Sequence, residues 1–303
     1  MSMAQKLRVI GTRKILRFFL PPDGTPFASS EFILVSSTQA IEAFETLSDD
    51  VSVTLVIDPE DYPLEALMRL RGVVWWWFLK RVVLGDQESS LDAERLLAFA
   101  GKQVDIRLRV LEELSSRSSS FVVVSDPTSH DLCRDLGVAA ALSPPPVNDS
   151  LSLTKSSVTM ARFAYWSEPS SYSEQFTKFR PEDFAGGISL VPGPDSNLEE
   201  ISHSVIIRSS VIREFPYEVA VCLSAGQTVL TESLYPQWGL EPGIDFFEVS
   251  TPQELHYSLD AFRRSPRSSL LMRSRGRLKA ANFVSSKVLS NVFLIAYGEK
   301  GFS

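Results

Sequence analysis

Cysteine and histidine are scarce in this 303-residue sequence, which limits the chemistry available to it. The two cysteines, Cys133 and Cys222, each lie in an apolar stretch, which predicts buried thiols rather than a disulfide. The three histidines are scattered and lack the spacing of zinc ligands. The first residues also lack the apolar run of a signal peptide. We therefore expect a cytoplasmic protein with no bound metal.

An excess of positive charge and a long hydrophobic run are also absent. Thirty Lys and Arg against 37 Asp and Glu give a net charge of -7, which argues against nucleic acid as the main partner. The most membrane-like run, Val73 to Leu79 with its three tryptophans, is far shorter than the roughly 20 residues of a spanning helix. It predicts a buried strand.

One region departs from this acidic composition. Seven basic residues crowd a short part of the second half: Arg263, Arg264, Arg267, Arg273, Arg275, Arg277 and Lys279. The simplest interpretation is that these cations lie on a solvent-exposed helical face and have no binding role. The alternative is a patch that sits on an anionic membrane surface or attracts a charged substrate.

Familiar catalytic signatures are missing as well. The sequence contains no GxGxxG after its first strand, no GxxxxGK[ST] and no GxSxG. Hydride transfer, P-loop ATP hydrolysis and serine hydrolysis therefore have no support.

Short apolar runs alternate with helical patterns along the whole chain, which predicts an α/β protein with parallel sheets. In the first half, the pattern predicts strands near residues 32–35, 51–57, 121–124 and 138–142. It also predicts helices at 40–47, near 64–70 and through Ile106 to Leu114, and a further helix that runs to about Leu136 and is ended by Gly137. The proline-rich segment at 143–150 reads as a stiff connector. We place a domain boundary there, giving domains 1–147 and 148–303.

In the second half, the pattern predicts strands at 160–166, 189–192, 205–207 and 229–231, and a helix from Phe215 ended by Gly226. Two further helical segments are predicted around residues 270–283 and 287–296. The strand at 205–207 runs into Arg208 and Arg213 just before that helix. Helix N-termini and arginines suit a diphosphate, so both arginines are candidate ligands. Glu232 follows the next strand, where a carboxylate can accept hydrogen bonds from sugar or ribose hydroxyls. Thr251 with Glu254 predicts a capped helix start.

The segment from Leu223 to Leu234, with the continuation from Gly239 to Phe246, resembles the family-1-type bacterial glycosyltransferases, the group containing the spore-maturation-like proteins. The likeness spans residues 205–283 and includes an Arg-Gly-Arg turn at 275–277. It implies a GT-B architecture, in which two Rossmann-like domains face each other across a cleft. The first would be the acceptor side, and the second would hold the nucleotide-sugar donor.

Carried over by position, the resemblance implies that Ser224, Glu232, Gly239, Leu240 and Glu241 border the donor site. Arg208 and Ser209 stand where related proteins carry a His-Asn or similar polar pair. With Arg213 and Glu218, they complete the set of candidate donor-binding residues. Glu218 enters because Val221 stands where the family's ribose-binding glutamate would lie, and Glu218 is nearly one helical turn away. The glycines of the 239–243 loop would allow close approach of the backbone to a ligand.

The activity implied is sugar transfer from a nucleotide-diphosphate sugar to an unidentified acceptor hydroxyl, with no metal and no cofactor besides the donor. A base would come from the first domain, where Asp58, Asp126 and His130 follow strand ends. Two alternatives stay open: a degenerate, non-catalytic member of the fold that binds a nucleotide sugar or a partner protein, and another nucleotide-dependent α/β enzyme.

Overall fold

The computed structural model describes residues 8–9, 33–34, 53–56, 90–116, 120–124, 127–145, 147, 163–166, 188–191, 201–206, 215–284, 287–288 and 291. The chain divides into two compact units: unit 1, residues 1–143 with 289–303, and unit 2, residues 144–288. The boundary expected between residues 147 and 148 lies near the proline-rich start of unit 2 and stays a prediction.

Unit 1 contains parallel strands and two helices in its described residues. In chain order these are β1 (Arg8–Val9), β2 (Ile33–Leu34), β3 (Val53–Val56), α1 (Ser90–Ser116), β4 (Ser120–Val124), α2 (Pro127–Asp135) and β5 (Ala139–Leu142). β1 pairs with β2, and β3, β4 and β5 form a sheet in that order. Every pairing is parallel, as the strand–helix alternation predicted.

The core of unit 1 forms where α1 and α2 pack beside β4. Leu111 and Leu114 of α1 are buried with Val122 of β4 and Cys133 of α2. Cys133 is therefore a buried thiol, as expected from its apolar surroundings. Gly137 ends α2 with a φ of 73°, a conformation that favours glycine, which confirms the predicted helix end.

The described residues of unit 2 form a five-stranded sheet in which each pairing is parallel. Its elements are β6 (Phe163–Trp166), β7 (Ile188–Val191), β8 (His203–Ile206), α3 (Tyr217–Ser224), β9 (Thr228–Thr231), β10 (Phe247–Glu248), α4 (Pro252–Arg264), a 3₁₀ turn (Pro266–Ser269) and α5 (Leu270–Ala280). The strand order is β10-β9-β8-β6-β7. The α/β class with parallel sheets is thus confirmed.

Helix α4 packs on the sheet through a regularly spaced apolar face. Its Leu255, Leu259 and Phe262 are buried with Val205 of β8 and Leu230 of β9. The predicted cap is present. The Glu254 amide donates to Thr251 Oγ1 over 3.2 Å, and its carboxylate accepts from the Ser250 amide over 2.7 Å.

Helices α3 and α5 pack against each other in opposite directions. All of α3 except Glu218 is buried, so α3 needs apolar neighbours on every side. The start of α5 meets the end of α3, where Arg273 Nε donates to the Gly226 carbonyl over 2.7 Å. Beyond the other end of α5, the ring of Phe283 packs edge-on against Phe215, just before α3.

The Arg-Gly-Arg turn expected at residues 275–277 is wrong, because these residues lie inside α5. Gly276 is required there for close packing rather than for a turn. A Cβ at this position would lie 2.7 Å from the Asp245 carbonyl oxygen and 2.8 Å from a methyl group of Leu223. Only a residue without a side chain lets α5 approach this closely.

A buried polar chain joins the amino edge of the sheet to the start of α5. The two ring nitrogens of His203 lie 2.7 Å from Ser202 Oγ and 3.1 Å from Ser269 Oγ. Its ring also packs on Phe262. Burial, with a further contribution from the charge of Arg273, lowers the pKa of His203 to about 4, so the imidazole is neutral.

Several expected elements lie outside the described residues: a helix at 40–47, a helix near 64–70, the strand at 73–79 and most of a helix at 287–296. Among the residues that are described, no helix is both long enough and apolar enough to cross a membrane.

Alanine normally stabilises a helix more than glycine does, but the close contact of Gly276 with the Asp245 carbonyl predicts the opposite order at this position. We expect Gly276→Ala to destabilise the protein, because overpacking costs about 1–3 kcal/mol against a gain of about 1 kcal/mol from helix propensity. Urea unfolding followed by circular dichroism measures this. Gly101→Ala in α1 is the matched control, since a Cβ there meets nothing within 4 Å, and it should stabilise. Equal gains in both variants would refute the packing argument.

The neutral His203 predicts a loss of stability in mild acid. As the pH falls below 6.5, the imidazole of His203 is protonated in the unfolded chain, whereas in the folded protein it is protonated only near pH 4. The stabilisation is therefore complete above pH 6.5 and decreases by about 3 kcal/mol as the pH falls to about 4. His203→Gln should flatten that part of the curve of unfolding free energy against pH. His256→Gln, at an exposed position of α4, is the matched control.

Candidate functional site

The strand order of unit 2 marks one place where a ligand is expected. From β6 the chain moves to β7 on one side and then to β8 on the other. In open parallel sheets, the carboxyl ends of the strands flanking such a reversal form the ligand crevice. Here those ends are Trp166 of β6 and Ile206 of β8. We call this side of the sheet the carboxyl edge.

Three of the predicted donor ligands follow β8 directly in sequence. Arg208, Ser209 and Arg213 belong to residues 207–214, which lie outside the described part of the chain. Their role stays a prediction.

Two predicted carboxylates come to the carboxyl edge. Glu218 lies in the first turn of α3, the helix that follows β8, and Glu232 is the residue directly after β9. Glu232 is only 9% exposed. No side-chain cap accepts from the first amides of α3, since Pro216 is the residue before it. This edge therefore combines carboxylates with the N–H groups of a helix start.

Ser224 does not join these two residues. It is the last residue of α3, about 9 Å along the helix from Glu218 at 1.5 Å per residue. The chain then enters β9 at the amino edge, where the Thr228 amide donates to the Ser202 carbonyl over 2.9 Å. Ser224 is also buried. The structure thus separates it from Glu218 and Glu232.

The predicted Gly239–Glu241 loop forms a tight turn between β9 and β10. Trp238 and Gly239 both have positive φ, 51° and 79°, and Gly243 follows at 78°. These backbone conformations account for both glycines, since a Cβ on either would meet nothing within 4 Å. The side chain of Leu240 is buried, and its amide donates to the Gln237 carbonyl over 2.9 Å.

Lys279, in the last turn of α5, holds this loop through three bonds. Its ammonium lies 2.6 Å from the Gly239 carbonyl oxygen, 2.9 Å from Glu241 Oε1 and 2.7 Å from Asp245 Oδ2. Asp245 Oδ2 also accepts from the Glu241 amide over 2.9 Å. The carboxylates of Asp245 and Glu241 hold the pKa of Lys279 above its ordinary value. We name these contacts the Lys279 clamp.

No sequence pattern indicates the Lys279 clamp. In the sequence, Lys279 is one of seven clustered cations, and Asp245 belongs to the segment that resembles the glycosyltransferase family. Neither feature indicates that the two side chains form an ion pair. The three partners lie 34 to 40 residues before Lys279, so no local spacing connects them. The position of the loop against α5 creates the cluster, and the sequence alone does not specify that packing.

The candidate bases lie in unit 1. His130 is in the first half of α2, the helix after β4, and is half-buried. Asp126 and Asp58 lie outside the described residues. In the part of the chain that the structure describes, no three His, Cys, Asp or Glu side chains group as a metal site.

The fold matches that of solved proteins, although no protein-family model and no curated protein matches the sequence. HepE from Anabaena, solved in complex with UDP, superposes with a TM-score of 0.51 at 9% identity, covering 86% of this chain and 77% of HepE. Its complex with UDP-glucose gives a TM-score of 0.52.

Two further structures share this fold. Sucrose-phosphate synthase from Thermosynechococcus elongatus gives a TM-score of 0.52 at 10% identity, covering 87% of this chain and 72% of the synthase. TarM gives 0.51 at 7% identity, and this chain spans only 55% of it. The chain thus has the α/β fold of these proteins, although its sequence is far from theirs.

The Lys279 clamp predicts a non-additive effect on stability. Lys279→Met leaves the buried carboxylate of Asp245 without its counter-charge, so we expect a lower melting temperature and faster amide exchange over residues 237–246. Adding Asp245→Asn should recover part of the loss, because the double variant buries no unpaired charge. Lys287→Met removes an exposed lysine of the same unit and is the control. If it lowers the melting temperature equally, the clamp has no special role.

Proposed function

We propose that this protein is a glycosyltransferase that moves a sugar from a nucleotide-diphosphate sugar to an acceptor hydroxyl. The observation that carries the proposal is the parallel order β10-β9-β8-β6-β7, with Glu218 and Glu232 at its carboxyl edge. The fold likeness supports it: one neighbour was solved with UDP-glucose, and another is named for making sucrose phosphate. The finer proposal is a GT-B arrangement, with unit 1 on the acceptor side.

Each polar group at the carboxyl edge suits a different part of such a donor. The first amides of α3, together with Arg208 and Arg213 from the preceding segment, would bind the diphosphate and stabilise it as it leaves, without a metal. Carboxylates would repel that diphosphate, so we assign Glu218 and Glu232 to the ribose or sugar hydroxyls.

The remaining candidates take supporting roles in this proposal. The clamped Gly239–Glu241 turn would border the donor, with its conformation fixed by Lys279 before any ligand arrives. Ser224, at the opposite edge, contributes packing alone. The acceptor and its base belong to unit 1, where Asp126 and His130 remain the candidates.

UDP and UDP-glucose are the first ligands to test. We expect either one to raise the melting temperature, since a ligand at 100 times its dissociation constant stabilises the native state by about 2.7 kcal/mol. Glu232→Gln should abolish or greatly reduce the shift, measured against the variant's own melting temperature without ligand. Glu112→Gln, an exposed position on α1, should keep it.

The same preparations separate catalysis from binding. Slow release of UDP from UDP-glucose, unaffected by EDTA, would support a metal-independent transferase. Binding without any release would favour the degenerate, non-catalytic alternative. If UDP, GDP, TDP, CDP, ADP and their sugar conjugates all leave the melting temperature unchanged, the donor site is wrong.

A further inference from the structure

Helix α5 presents two leucines to solvent on the side away from its buried contacts. Leu271 and Leu278 are 65% and 75% exposed, and Arg275 lies between them at helical spacing. Arg267, in the 3₁₀ turn before α5, and Arg264, at the end of α4, are exposed as well. We call these five residues the leucine–arginine face.

The packing of α5 fixes the orientation of this face. Met272, Gly276 and Ala280 are buried on the opposite side of the helix, so α5 cannot turn its leucines inward without losing the close contact at Gly276. A single exposed leucine on a protein surface is ordinary. Two on one helical face, separated by arginine, form an apolar strip with a positively charged border.

The charge around this face is strongly one-sided. Residues 261–287 contain eight Lys or Arg and no Asp or Glu, within a chain whose net charge is -7. Some of these cations have structural roles: Arg273 bonds the Gly226 carbonyl, and Lys279 holds the loop. The described residues provide no ion pair for Arg264, Arg267 or Arg275.

We propose that the leucine–arginine face binds the surface of an anionic lipid bilayer. The exposed leucines would enter the boundary between headgroups and acyl chains, while the arginines would pair with anionic headgroups. This combination distinguishes lipid from other occupants. Leucines add nothing to binding a phosphate backbone in water, and a two-fold interface between copies would bring arginines against arginines.

Co-sedimentation of the full chain with vesicles tests the proposal without depending on glycosyl transfer. We expect binding to vesicles that contain phosphatidylglycerol, weakened by salt, and little binding to phosphatidylcholine alone. Replacing Arg264, Arg267 and Arg275 together with Gln should reduce the partition coefficient by at least about tenfold. The double variant Leu271→Gln with Leu278→Gln should also have a lower partition coefficient. Its residual binding should be electrostatic, so added salt should abolish it.

The matched control removes three exposed cations from unit 1: Lys102→Gln, Arg109→Gln and Arg134→Gln. It should bind as the wild type does, because the proposal depends on the position of the charges rather than on net charge. Equal loss in the control, equal binding to both kinds of vesicle, or no binding to either would overturn the proposal. So would a dimer that the double leucine variant converts to a monomer, or binding to an RNA homopolymer but not to vesicles.

Discussion

The contact between Gly276 and the Asp245 carbonyl is the constraint on which much of unit 2 depends. A Cβ at this position would approach that oxygen to 2.7 Å, so the absence of a side chain sets how close α5 comes to α3 and to the loop before β10. The close packing of α5 contributes to the burial of α3, in which every residue except Glu218 is buried. It also fixes which side chains of α5 face inward and which face solvent.

Different sides of α5 consequently make different contacts. Arg273 reaches the Gly226 carbonyl at the amino edge, and Lys279, two turns later, holds Gly239, Glu241 and Asp245. Leu271 and Leu278 are left outside. Helix α5 thus connects the sheet, the loop beside the proposed donor site and the exposed leucine–arginine face. A shift of α5 would disturb all three together, because they share one rigid helix.

The sequence predicted the elements well where local patterns determine them. The apolar strands within the described residues, the cap at Thr251 and the helix-ending glycines at 137 and 226 follow from spacing and backbone preference, and the structure confirms them. Sequence patterns were less informative where the position of a residue depends on packing between elements that are distant in sequence. The family resemblance placed Gly276 in a turn, whereas it lies in a helix that the apolar pattern predicted around residues 270–283. Lys279 is only one of seven clustered cations in the sequence. Ser224 and Glu232 are close in sequence but lie at opposite edges of the sheet, and the predicted role of Ser224 in donor binding stays a prediction.

The two edges of the unit 2 sheet differ in how their polar groups are used, and this difference is the strongest physical reason to place a ligand at the carboxyl edge. At the amino edge, the ring of His203 bonds the hydroxyls of Ser202 and Ser269, and Ser204 donates to Gln227. Such a closed network stabilises the fold and has little capacity for a ligand. At the carboxyl edge, Glu218 and Glu232 adjoin a helix start that has no side-chain cap. A diphosphate would suit such a helix start, because the partial positive charge there has the favourable sign for an anion.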